Sequence, residues 1–283
     1  MNLFNIIDEI EKVDPEIHER LNPRRAAIKN ITSFGSKVAL AAMPFALGTM
    51  FKKAYGAAST TDILGVLNYA LTLEYLEAYF YNQGTASGVI PAANSAYIAE
   101  ITDDENKHVT FLKNVITSLG GTPVTSPTFD LTAGNNKGNG PFKDVLTNYT
   151  TFLAVAQAFE DTGVRAYKGA APILLGNQVV LTAALSIHAV EARHASAIRL
   201  LRHDLGHDAN IRPWIVSTSA KGNDTGVALI DGNYAGEENV TQGGVNLVTA
   251  LGVSTGVATA SFDEPLTKDQ VLALLVGSFI VTP

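Results

Sequence analysis

The sequence predicts an all-α protein. Its core is a four-helix bundle built from a duplicated helix pair, with a long crossover between helices two and three and an irregular C-terminal extension. Two observations carry this. Four uncommon residues recur at one offset, because Glu74/Glu160, Tyr81/Tyr167, Glu105/Glu191 and His108/His194 are each 86 residues apart. Each of these residues also lies in a segment whose apolar positions follow helical spacing. Quieter matches at the same offset include Ile101/Ile187, Lys107/Arg193 and Leu112/Ile198.

The chain divides into three segments: a leader over 1–58, a bundle over 59–206 and an extension over 207–283. The leader differs in composition from the rest of the chain. Residues 1–59 hold eight basic and six acidic residues, whereas the remaining chain holds 12 basic and 21 acidic ones. Arg24-Arg25 precede an almost uncharged run over residues 38–51 (VALAAMPFALGTMF), then Lys52-Lys53 and the small residues AYGAAS. Paired arginines, a short apolar core and a small-residue cleavage region resemble a twin-arginine export signal. The resemblance implies export of an already folded chain to the periplasm or cell envelope. An acidic, helix-like run before Arg24 lengthens the n-region, and Ala27 stands where such signals often have Phe. The other reading of this leader is a helix that packs on the body or anchors it. No later segment has 18 continuous apolar residues, so the body is expected to have no transmembrane span.

In the body, Asp62 and the threonines before it suit the start of the first helix. Gly120-Gly121 and Pro123 stop the second, and Pro141 suits the start of the third. Gly206 closes the fourth after Arg199, Arg202 and His203. About 20 residues rich in Gly, Asn, Thr and Pro join helices two and three, enough to run the length of a bundle. Beyond the bundle, Trp214 is expected to anchor the extension, the segment GNYAGEEN from Gly232 to be polar and exposed, and Thr267 with Gln270 to cap a terminal helix.

The chemistry lies on the repeated faces. Residues three apart on a helix share a face, so Glu105 with His108, and Glu191 with His194, can each reach one ion. Glu74 with Tyr81, and Glu160 with Tyr167, are seven apart on one face. Pointed inward, four carboxylates and two imidazoles would repel and pay for lost hydration. Two divalent cations supply the compensation, and this donor set suits iron or manganese better than calcium or magnesium.

One Glu on each of two helices and Glu-x-x-His on the other two resembles the ferritin-like carboxylate proteins. The wording LEYLEAYFY and VEARHA is most similar to the bacterial ferritin-like domain family that includes plant desiccation-related proteins. The resemblance implies Glu74 and Glu160 as terminal ligands, Glu105 and Glu191 as bridging carboxylates, and His108 and His194 as nitrogen ligands. Tyr81 and Tyr167 match tyrosines that stand behind the ligands, here candidates for a role in catalysis. Asp104 resembles an acidic residue that orients a ligand His, and its counterpart is Val190. Glu77, whose counterpart is Gly163, is expected at the solvent rim. Asp161 and His188 are expected outside the site, and Tyr75, Tyr79 and Phe80 in the core.

The chain has no Cys, which excludes disulfides, thiolate metal sites and thiol nucleophiles. A net charge of −7 and the lack of a basic stretch argue against nucleic acid as a partner. The expected partners are metal ions with dioxygen or peroxide, in ferroxidase, peroxidase or catalase-like chemistry, and the body is free to form a homo-oligomer. The alternatives are non-catalytic metal binding, protection under stress or drying, and a scaffold with a relic site. The extension argues against a plain cage-type iron store.

Overall fold

The computed structural model describes residues 59–207, 209–216, 223 and 225–282. The leader, with Arg24 and Arg25, lies outside the described residues. Four long helices form the body: α1 Thr60–Ser87, α2 Ser95–Ser118, α3 Tyr149–Ala170 and α4 Gln178–Asp204. α1 packs along α2, and α3 along α4. A crossover without helix leads from α2 to α3, so the duplicated pair folds as two hairpins.

The helix ends follow local chemistry. Ser59 caps α1 in a capping box, its hydroxyl accepting from the Asp62 N–H while the Asp62 carboxylate accepts from the Ser59 N–H. Gly120 and Gly206 adopt the left-handed conformation just past α2 and α4 (φ 77° and 75°), where a side chain would be strained. α3 begins later than Pro141 suggests. Asn148 caps it by accepting from the Thr150 N–H at 3.0 Å. The preceding residues form separate turns that bury Phe142 and Val145, with the Phe142 ring 5.8 Å from Phe279. Packing of those two apolar residues against the C-terminus wins over continuation of the helix.

Every residue of α3 from Phe152 to Tyr167 is buried, because the extension covers the side that the other helices leave. The extension carries α5 Ala228–Asp231, a hairpin of β1 Thr241–Gln242 with β2 Val245–Asn246, then α6 Leu247–Leu251, α7 Thr255–Thr259 and α8 Lys268–Leu275. Arg165 of α3 holds it: its guanidinium donates to the carbonyls of Glu264 (2.6 Å), Ala235 (2.7 Å) and Asn233, and pairs with Glu237 at 3.0 Å. Arg199 of α4 forms a two-pronged pair with Asp161 at 2.6 and 3.1 Å, and the Tyr234 hydroxyl donates to the same carboxylate. The segment from Gly232 is therefore not the exposed loop expected, since Asn233, Tyr234 and Glu237 are buried against these arginines. Trp214 does not anchor the extension by its ring, which is half exposed. Its carbonyl accepts from Arg199 at 3.3 Å instead.

α8 is capped by Thr267 and Gln270 as expected and buries Val271 and Leu275. The chain beyond it pins the crossover, with the Asp130 N–H donating to the Phe279 carbonyl at 2.9 Å and the Val281 N–H to Thr128 at 3.0 Å. No described helix is long and apolar enough to cross a membrane.

Candidate metal centre

The bundle directs all six predicted ligands inward. Glu74, Glu105, Glu160 and Glu191 are fully buried, and His108 and His194 nearly so. They form two groups, Glu74–Glu105–His108–Glu191 and Glu105–Glu160–Glu191–His194, each with its ligand atoms within 4.8 Å of one another. Glu105 and Glu191 belong to both groups.

Both imidazoles present Nδ1 to the carboxylates. His108 Nδ1 lies 3.1 Å from Glu74, 3.3 Å from Glu105 and 3.3 Å from Glu191. His194 Nδ1 lies 2.9 Å from Glu105 and 3.3 Å from Glu160. On its far side His194 Nε2 meets Asp104 at 3.3 Å, so Asp104 supports the imidazole of the other hairpin rather than its near neighbour His108. The tyrosines are crossed in the same way. Tyr81 of α1 donates to Glu160 of α3, and Tyr167 of α3 donates to Glu74 of α1. Each tyrosine thus fixes the carboxylate of the opposite hairpin, a relation that a spacing of seven along one helix does not disclose.

Glu191 Oε2 is buried with no partner, while Glu105 Oε1 and Glu160 Oε2 face His194 Nδ1, and Glu191 Oε1 faces His108 Nδ1, at ion-pair distance without hydrogen-bond geometry. Leaving such atoms unpaired in a dry interior costs about 1–3 kcal/mol each, and more for charged groups. Buried carboxylate oxygens converging without good hydrogen bonds are what a cation repairs, so the residues present fit a metal site. Without an ion the cluster holds protons. Burial, followed by the charge of Glu74, raises the Glu105 pKa to about 7, against the lowering effect of His108 and His194. Burial, then Glu105 and Glu74, raises Glu191 as well. Burial opposes a charge on His194, but Glu160 and Glu105 outweigh it and raise its pKa to about 11. The same contest, with Glu105, Glu191 and Glu74 as partners, raises His108.

Glu77 is the residue that sequence reasoning misplaced. It is not at the rim but 4% exposed, next to the cluster, and burial together with Glu191 raises its pKa. The cause is its counterpart: Gly163 has no side chain, and the Glu77 carboxylate occupies the space above it. A Cβ on Gly163 would stand 3.3 Å from Glu77 Oε1 and 2.7 Å from Glu191 Oε2. A glutamate matched by a glycine across a repeat was the available signal.

Asp161 and His188 lie outside the cluster, the first paired with Arg199 and the second 3.0 Å from the Val164 carbonyl. Phe80 is buried in the core. Tyr75 is half-buried against the core, and its hydroxyl ties α1 to the crossover at Val124, whereas Tyr79 is exposed beside Phe129.

Residues 62–204 match the model of the ferritin-like domain family, over the four helices that carry the cluster. The chain belongs to this family. No curated protein matches the chain. The ferritin-like match ends at α4, so the extension that covers α3 lies outside it.

Proposed function

We propose that this ferritin-like chain holds a pair of iron or manganese ions and uses them for redox chemistry with dioxygen or peroxide. The observation that carries the proposal is the sharing of Glu105 and Glu191 by two ligand groups that are otherwise distinct. Glu74 and His108 would complete one position, Glu160 and His194 the other, and the shared carboxylates would bridge them. Four carboxylates balance the charge of two divalent ions. Such a pair supplies two-electron exchange with a small oxidant.

The chain's own residues set the conditions. Burial of every ligand keeps bulk water out and admits only small reactants. Tyr81 and Tyr167 hold Glu160 and Glu74 in place and stand where a hydroxyl can pass a proton or an electron. Asp104 orients His194 and increases its basicity.

Anaerobic titration with Fe(II) or Mn(II) tests the reading, with two ions bound per chain expected and neither Glu105→Ala nor Glu191→Ala retaining the pair. Adding peroxide or dioxygen to the loaded protein then separates the outcomes. Repeated turnover supports an enzyme acting in ferroxidase, peroxidase or catalase-like fashion. One slow stoichiometric event supports metal storage or the protective role suggested by the likeness to desiccation-related proteins. We also assign the chain to the cell envelope by twin-arginine export, on the strength of the leader's residues. Replacing Arg24 and Arg25 by lysines should leave the protein in the cytoplasmic fraction, and unchanged export would refute that assignment.

A further inference from the structure

We propose that dioxygen reaches the carboxylate cluster through an apolar cavity at the Tyr167 end of the bundle. The proposal rests on the redox reading above and names the oxidant for which the site is built.

Position comes first. A cavity of about 20 Å3 lies between the four long helices, and each contributes to its wall: Ala70, Leu112, Tyr167 and Ala184. Ala70 precedes Glu74 by four residues, Leu112 follows His108 by four, Ala184 precedes Glu191 by seven, and Tyr167 follows Glu160 by seven. Spacings of four and seven return to the same helix face. The cavity is therefore the next layer of the bundle beyond the ligands. Tyr167 lies in its wall, and the hydroxyl of that ring already touches Glu74.

The cavity also shares part of its wall with the surface. Val66, Tyr69 and Ala170 line it and at the same time line an open surface cleft of about 430 Å3, whose rim carries Asp62, Gly65 and Lys268. The proposed path runs from this cleft past Val66 and Ala170 to Tyr167.

The repeat shows what distinguishes this end. At the offset of 86, Ala184 corresponds to Ile98, and Val66 to Phe152. At the opposite end the Phe152 ring stacks on Phe80 with centroids 4.6 Å apart and meets Tyr81 edge-on at 6.1 Å. Phe152 and Ile98 fill that end, and both are fully buried. Two smaller residues at the matching positions leave the Tyr167 end open. A symmetric ligand cluster thus has one packed end and one porous end.

The wall selects the molecule. It is almost wholly apolar carbon, with the Tyr69 hydroxyl as its one unpartnered buried polar atom, so water finds fewer than the two to four partners it needs there. Hydrogen peroxide would lose its hydrogen bonds on entry, and an ion its hydration, at a cost of several kcal/mol. Dioxygen has no such hydration to lose. The volume suits one molecule of about water's size at a time.

Two substitutions close the path with residues that the other hairpin carries at the same place: Ala184→Ile and Val66→Phe. Xenon, an apolar atom, is the probe of the metal-free full chain, followed by 129Xe NMR. Xenon should bind the unmodified protein and be lost from each variant. Anaerobic Fe(II) loading should be unchanged in both. Oxidation of the loaded variants by dioxygen should slow at least about tenfold, while oxidation by peroxide should stay within about twofold. Failure of the unmodified protein to bind xenon overturns the route. So does an unchanged dioxygen rate in either variant that has lost xenon, or equal slowing with peroxide. If one variant does not fold, the other carries the test, since Ala184 and Val66 lie on different helices. These results differ from failure of the redox reading, in which the unmodified Fe(II)-loaded chain would react with neither oxidant.

Discussion

Gly163 offers a direct test of the cluster's geometry. A Cβ at this position would stand 2.7 Å from Glu191 Oε2, where ordinary contact begins at 3.4 Å, so the carboxylate must retreat by about 0.7 Å. A metal–ligand distance tolerates about 0.2 Å. Gly163→Ala should therefore displace a carboxylate common to both ligand groups, and weaken metal binding about 10–100-fold, or about 1.4–2.8 kcal/mol. The metal-free protein should respond in the opposite direction. Alanine is favoured over glycine inside a helix by about 1 kcal/mol, and the atoms it meets belong to the carboxylate ends of Glu191 and Glu77. Gly65→Ala in α1 is the control, because a Cβ there meets nothing within 4 Å. It should raise the melting temperature and leave metal affinity alone. Calorimetric titration with Fe(II) under argon, beside thermal melts of the metal-free chains, reads both quantities. Gly163→Ala binding Fe(II) as tightly as Gly65→Ala would refute the placement of Glu191 as a ligand.

Metal-free protein should lose stability as pH rises from about 5 to 8. Glu105 favours folding in its protonated form, so its contribution is complete below 4.5 and is lost as pH climbs through about 7. That of His194 is complete below 6.5 and lost through about 11. Metal displaces these protons and should bind more tightly over the same range, so a metal-free melting temperature that rises with pH would contradict the cluster's protonation. Tyr81→Phe should keep both ions but alter the rate of oxidation, and loss of metal on this change would show that Tyr81 is needed for binding. Asp104→Asn should weaken the ion at His194 and spare the one at His108, splitting a metal titration into two phases; uniform weakening would deny the asymmetry. Asp161→Asn removes the carboxylate that pairs with the buried Arg199, so a loss of about 3–5 kcal/mol in chemical denaturation is expected, with metal stoichiometry retained in the folded protein.

The buried Glu/His cluster was legible because it consists of uncommon residues whose spacing obeys both the helix and the repeat. Glu105 and His108 had to share a face, and Glu191 and His194 repeated the pattern, so one geometric premise positioned all six. What escaped was long-range. Tyr81 lies on the face of Glu74 but bonds Glu160, because the tyrosine spans the gap between hairpins. Arg165 gave no local sign of its role, since its partners are carbonyls of Asn233, Ala235 and Glu264, 68 to 99 residues away. The polar segment from Gly232 reads as a loop until these arginines are brought to it. The start of α3 was misread for the opposite reason, as Pro141 is a valid local signal that the packing of Phe142 overrides.

The departures from the repeat then acquire a common meaning. Duplication alone would make two equivalent halves around the cluster, and the six ligands and two tyrosines retain that equivalence. Their surroundings do not. Asp104 faces Val190, Glu77 faces Gly163, Phe152 faces Val66 and Ile98 faces Ala184 across the offset. The first pair gives His194 a carboxylate that Val190 cannot give His108. The second places a fifth carboxylate beside Glu191. The third and fourth close one end of the bundle and leave the other porous. Under the proposed redox function these differences would matter, since an oxidant that arrives from one side would meet two metal positions with different surroundings. The proposed chemistry, in which the two positions play different parts, accounts for a symmetric Glu/His set in asymmetric surroundings.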